Sequence, residues 1–178
     1  MTTGAPILLV KDGALSWPEI AAMREHIYPP EKLIDTPMHG IEWAHPHRRV
    51  LLYVDDSVRA VAGIHEREIL CDDERLMVAG IGGVMTDPKF QGGGYGKQVM
   101  GHLVTLLQAE ARYAFGLLFC EDHNVGFYRK LGWTLFDGDM VVQQGGETVP
   151  FSFPNVMVLS LSGSARVTGN VDLCGPPW

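Results

Sequence analysis

Cysteine is scarce in this chain of 178 residues, with Cys71, Cys120 and Cys174 the only three. Spaced about fifty residues apart, they fit neither a metal-ligand spacing nor the even count of a disulfide framework, and they point to a reducing cytoplasm. Long apolar runs are also missing. No stretch approaches the roughly 18 uninterrupted apolar residues of a membrane helix. The start, Met1 to Pro6 followed by residues 7–10, has neither the basic lead nor the apolar run of a secretion signal. Positive charge is in short supply, with 14 Lys and Arg against 21 Asp and Glu and a formal net charge of -7. Without a clustered basic face, nucleic acid is not expected as a partner. An acidic surface suits a cationic substrate, and it also keeps a small protein soluble. Three of the histidines, His39, His45 and His47, cluster near Trp43. They lack the i, i+4 pairing of a zinc-binding helix, so no metal site is predicted.

What is present is the make-up of one globular domain, residues 1–178, long enough for a sizeable core. No repeat or linker divides it. Residues 7–10 read as a first strand and 16–28 as a helix opened by Ser16, with Pro18 in its first turn and Pro29-Pro30 as its stop. Residues 31–49 hold Pro37, Gly40 and Pro46 and read as a loop with a short helical piece, of a length that is often functional. A β pattern follows over 50–54, 58–69 and 76–86, joined by acidic turns into an antiparallel meander. Residues 95–111 place Val99, Leu103, Leu106 and Leu107 at helical spacing. The apolar run 114–120 fits a buried strand, although its length leaves a helix open. A short helix over 125–131, ended by Gly132, and strands over 133–136, 140–143 and 156–161 complete an α/β fold with a mixed sheet.

Between the third of those strands and the long helix stands Gln91-Gly92-Gly93-Gly94-Tyr95-Gly96. Successive backbone N–H groups there can meet a phosphate without Cβ obstruction, and the helix dipole and Lys97 add positive charge. The P-loop pattern fails because Gln98 stands where a Ser or Thr is needed, and the dinucleotide pattern G-x-G-x-x-G does not match. Four glycines within residues 92–96 exceed what a tight turn requires.

At this point the sequence resembles a known family. Gln91-x-x-Gly94-x-Gly96, after a strand and at a helix start, is similar to the pyrophosphate signature Q/R-x-x-G-x-G/A of the GNAT acetyltransferases. Gly83-Val84-Met85-Thr86-Asp87-Pro88 looks like the family's fourth strand, whose backbone binds the pantetheine arm. Phe127-Tyr128-Arg129-Lys130-Leu131-Gly132-Trp133 resembles the F-Y-x-K-x-G-[FW] segment that follows the fifth strand, here 116–120. The resemblance covers most of residues 76–136. It implies a mixed, mostly antiparallel sheet in which parallel strands four and five splay apart, with about four flanking helices. It further implies acetyl-CoA, with CoA as product, held by Val84, Met85, Thr86, Gln91, Gly92, Gly93, Gly94, Tyr95, Gly96 and Lys97, and no metal. The expected partner is a small-molecule amine acceptor, with a homodimer compatible and no membrane involved.

The chemistry asks little of side chains. An amine attacks the thioester carbonyl, a backbone N–H steadies the oxyanion, and the departing thiolate takes a proton. Tyr128 matches the family's proton donor, and Met85 or Thr86 would offer the N–H. Glu121 is the candidate base, beside Asp122 and His123 at the mouth of the cleft, with Glu66 and Glu68 as weaker ones. Cys120 ends an apolar strand, so direct transfer is preferred to an acyl-enzyme.

The final residues, Val171 to Trp178, resemble those of aminoglycoside 2′-N-acetyltransferases in a late cysteine and a closing tryptophan. That likeness implies that Trp178, through its carboxylate, and Asp35 bind an amino sugar. The sequence departs from those enzymes at Gly82, where they carry a glutamate, and at Ser152-Phe153-Pro154, where they carry acidic residues. The leading expectation is a small-molecule N-acetyltransferase. A protein or peptide acetyltransferase and an acetyl-CoA sensor without turnover are the alternatives.

Overall fold

Strict alternation in the strand Arg48–Val54 decides which layer lies on which face of the sheet. Val50, Leu52 and Val54 join one buried cluster, and Leu51 joins another on the opposite face. The computed structural model describes residues 4–163 and 166–178. Its elements are β1 (Ile7–Asp12), α1 (Trp17–Ile27), α2 (Pro30–Leu33), β2 (Arg48–Val54), β3 (Ser57–Cys71), β4 (Glu74–Thr86), a 3-10 turn (Pro88–Phe90), α3 (Tyr95–Glu110), β5 (Phe115–Cys120), α4 (Asp122–Arg129), β6 (Thr134–Leu135), β7 (Met140–Gln144), β8 (Glu147–Pro150), β9 (Asn155–Ser160) and β10 (Val171–Asp172). The strands run in the order β6-β9-β5-β4-β3-β10-β7-β8, with β2 on the other half of β3 and β1 beyond it. Every pairing is antiparallel except β4 with β5 and β10 with β7. This is the expected α/β architecture with its four helices.

The amphipathic α3 buries Val99, Met100, Leu103 and Leu107 against the face that carries Val50, Leu52, Ala62 and Ile81. Arg48 fixes the far end of α3. Its guanidinium meets both carboxylate oxygens of Glu110, at 2.5 and 3.0 Å, and Glu66 at 2.8 Å. On the other face α1 packs Ile20 over Leu51, Val61 and Met85.

Three elements depart most from expectation. The helix α4 begins three residues earlier than predicted, because the polar run Asp122-His123-Asn124 forms its first turn rather than a loop. The strands β8 and β10, of four and two residues, lie in segments that carry no strand pattern. Most of 31–49 is irregular as expected, with α2 as its helical piece.

Candidate active site

The strands β4 and β5 pair only from Ala79–Gly116 to Ile81–Leu118. Beyond those rungs β4 runs on through Gly82 to Thr86 beside β3, and β5 through Phe119 and Cys120 beside β9, without pairing to each other, so the two form an open fork. The pairing of β4 with β3 also shifts by one residue between Gly82 and Met85, with Gly83 at φ +57°. A bulge of this kind bends the strand and re-aims its side chains. The expected splay is therefore present, and Val84, Met85 and Thr86 stand on its β4 arm.

The glycine loop follows directly. Asp87 accepts a hydrogen bond from the Lys89 N–H at 3.0 Å, and Arg59 donates to Asp87 at 3.4 Å while lying 4.0 Å over the Phe90 ring. Gln91 reaches back to the Thr86 carbonyl at 3.4 Å. Gly94 caps α3 at φ +80° with no side-chain cap, and the first helical bond runs from the Gln98 N–H to the Gly94 carbonyl. The N–H groups of Tyr95, Gly96 and Lys97 therefore lack partners inside the helix. A Cβ at Gly92 or Gly94 would meet nothing within 4 Å, so an anion has open access there. At Gly96 a Cβ would crowd Thr86 Oγ1 at 3.1 Å, which is why α3 can start so close to β4.

Tyr128 lies on α4 below the fork and is buried, its ring edge-on to Phe127 at 5.1 Å and near Trp133 at 6.3 Å. Burial, then the nearby Cys120 and Tyr28, push its phenol well above the ordinary range, so it stays protonated.

A family model described as Acetyltransferase (GNAT) domain matches residues 35–136, more than half of the chain. The chain belongs to the GNAT acetyltransferase family. The structure of the GNAT family N-acetyltransferase YhbS from Escherichia coli in complex with CoA is similar, with a TM-score of 0.64 and 17% identity over 95% of this chain and 89% of that one. ElaA from Escherichia coli gives 0.60 and 17% over 86% and 99%. A GNAT family acetyltransferase from Brucella melitensis in complex with acetyl-CoA gives 0.57 and 15% over 93% and 94%. These are likenesses of fold. No curated protein matches the chain in sequence.

In this GNAT domain the fork opens into a cavity of about 940 Å3. Gly82, Gly83, Val84 and Met85 of β4, Cys120, Glu121 and Tyr128 all line it. Its opposite side is formed by α1, through Ile20 and Arg24, by Tyr28 just after it, and by residues from Pro30 to Pro46. Glu121 precedes α4 in extended conformation, with His123 Nδ1 at 3.5 Å from its carboxylate. Asp122 is engaged elsewhere, accepting from Asn155 Nδ2 at 2.7 Å. Among the acidic residues after β5, only Glu121 borders the cavity. The Cys120 thiol is pushed up to about 11, by burial first and then by Asp122 and Glu121, so it is a poor nucleophile at neutral pH.

The last segment closes one wall. Pro176 O accepts from Arg67 at 2.6 Å, Gly175 O from the Gln143 N–H at 3.0 Å, and Pro177 O from the Ala44 N–H at 2.7 Å. Trp178 is only 4% exposed, and its Nε1 donates to Leu117 O at 3.1 Å. Its indole lies over Gly80 at the last rungs before the fork, between the His65 ring, stacked at 5.9 Å, and the Arg67 guanidinium at 5.1 Å.

Asp35 falls in a different place. It sits exposed on the turn after α2 and outside the lining, whereas its neighbours Leu33 and Ile34 face the cavity. Glu66 is held by Arg48 and Arg112, and Glu68 by Arg75, so neither reaches the site. Among the described residues no cluster suited to a metal occurs. Sequence reasoning missed Tyr28 and His65, both in the lining. Burial, then the cations around it, holds the His65 imidazole down to about 3, and its Nδ1 is buried without a partner. In the sequence it is only the first polar residue after the apolar run 60–64, followed at once by Glu66, Arg67 and Glu68.

Proposed function

We propose that the chain transfers the acetyl group of acetyl-CoA directly to the amine of a small molecule bound in this cavity. The observation that carries the reading is the convergence on one cavity of the β4 arm that has parted from β5, Tyr128 and Glu121. Acetyl-CoA fits the residues present, since the N–H groups of Tyr95, Gly96 and Lys97 at the start of α3, beside the open Gly92 and Gly94, suit a pyrophosphate and the edge of β4 that leaves β5 offers backbone groups to an extended amide chain. When bound, it supplies the thioester that the amine attacks.

The residues divide the remaining work. A Met85 or Thr86 N–H would face the carbonyl oxygen as it gains charge. Tyr128, protonated at neutral pH, would give its proton to the leaving sulfur. Glu121, at the cavity edge, would accept a proton from the incoming ammonium, directly or through water. Trp178, which also lines the cavity, would support acceptor binding. An amino sugar is the second reading, favoured by that placement of Trp178.

A peptide acceptor would need an open groove, yet residues 30–46 cover the cavity and Ala44 is bonded to Pro177. The test is release of free thiol from acetyl-CoA against aminoglycosides, polyamines, aryl-alkyl amines, amino acids and peptides. Turnover with small amines is expected, and turnover confined to peptides refutes the reading.

A further inference from the structure

We infer that the acceptor is a monoamine carrying a flat aromatic body, held by a wall of Trp43, Phe119, Phe153 and Trp178. This inference rests on the acetyltransferase reading and narrows its substrate. Trp43 stands edge-on to Phe153 at 6.0 Å and to Phe151, behind the wall, at 6.5 Å. Phe119 meets Phe153 and Trp178, each at 6.0 Å. Edge and tilted contacts of this kind fix each ring by its neighbours, so the wall is set before a ligand arrives. Trp43, Phe119 and Phe153 are only partly buried, and their uncovered faces border the cavity. Such faces gain most from another ring, which brings a large apolar area with a preferred offset or edge geometry.

Charge points the same way. The lining carries two carboxylates, Glu31 and Glu121, and two guanidiniums, Arg24 and Arg49. A polycation would gain no net attraction from them, whereas one ammonium beside Glu121 is matched. The Arg49 guanidinium is already committed to Gly13 O and Ser16 Oγ. The imidazole stacked on Trp178 is neutral. Many hydroxyls on an acceptor would lose water here against an aromatic surface with few partners to replace it.

The experiment measures kcat/KM for 2-phenylethylamine, spermidine and a kanamycin-type aminoglycoside, with CoA binding followed by calorimetry on the same protein. The arylamine should exceed both others by about tenfold or more. Trp43→Ala should raise its KM roughly tenfold and leave the acetyl-CoA KM unchanged. Phe153→Leu, which keeps apolar bulk but removes the ring, should do the same to a smaller degree and guards against misfolding of the first variant. Equal or greater kcat/KM for spermidine or the aminoglycoside, with CoA bound normally, overturns the inference and leaves the acetyltransferase reading standing. An arylamine KM that neither variant moves also overturns it. Absence of CoA binding overturns the reading itself, and this inference with it.

Discussion

Replacing Gly80 by alanine tests how the wall is built. The new Cβ would stand 2.1 Å from Trp178 Cε2 and 2.4 and 2.5 Å from the next two ring atoms. Ordinary carbon contacts lie at about 3.5–4.0 Å, so the indole would have to retreat by roughly 1.5 Å. It has no room to do so while its Nε1 bonds to Leu117 O and its faces meet His65 and Arg67. Overpacking of this kind costs about 1–3 kcal/mol, and loss of a buried indole about 3–5 kcal/mol. We therefore expect Gly80→Ala to destabilise the fold by about 3 kcal/mol and Trp178→Ala by a similar amount or more. Once the ring is gone the Cβ meets no obstacle, so the double variant should cost no more than Trp178→Ala alone. The coupling energy would then be about 3 kcal/mol, well outside ordinary additivity. Urea unfolding of the three variants measures it. Additive losses in the double variant would refute the placement of Trp178 over Gly80.

Gly94→Val puts a branched side chain at a residue with φ +80° and into the space open to an anion, so CoA affinity should fall about tenfold or more, or about 1.4 kcal/mol, by calorimetry; unchanged affinity in a folded variant removes the loop from the cofactor site. Tyr128→Phe keeps the ring packing and removes the proton, so kcat should fall about a hundredfold while CoA affinity holds, and an unchanged kcat with chemistry rate-limiting makes Tyr128 a packing residue. His65 titrates at about 3 when folded against an ordinary value of 6.5, so between these values the unfolded chain holds the extra proton and stability falls as pH drops. At about 1.4 kcal/mol per pH unit, the loss by pH 5 is about 2 kcal/mol. His65→Gln should flatten that slope in urea midpoints, and equal slopes in both proteins contradict the burial argument.

Legibility in the sequence followed the range of the interactions. The glycine loop and the segment around Tyr128 are each set by a few neighbouring residues, and the structure places both at the fork. The acceptor wall was hidden. Trp43, Phe119, Phe153 and Trp178 come from four separate segments, and no local periodicity links them. Trp178 could be singled out only by resemblance, and Asp35, singled out the same way, lies outside the lining. The two-residue β10 is too short for an alternating pattern. Its pairing with Leu70 and Cys71 depends on contacts made about a hundred residues away.

That difference in range also bears on the order in which the two halves of the site form during refolding. The cofactor cradle draws on residues 74–110, a hairpin arm and the helix that follows it, with short loops to close. The Trp178 wall needs Arg67 to find Pro176, 109 positions along the chain, and Leu117 to find Trp178, 61 positions along. Closing long loops comes at an entropic cost before the contacts repay it, and chains dominated by such contacts fold slowly. A refolding molecule should therefore acquire its grip on CoA before it acquires a complete acceptor pocket. The interval between the two would be visible as CoA binding that precedes quenching or shifting of the Trp178 emission.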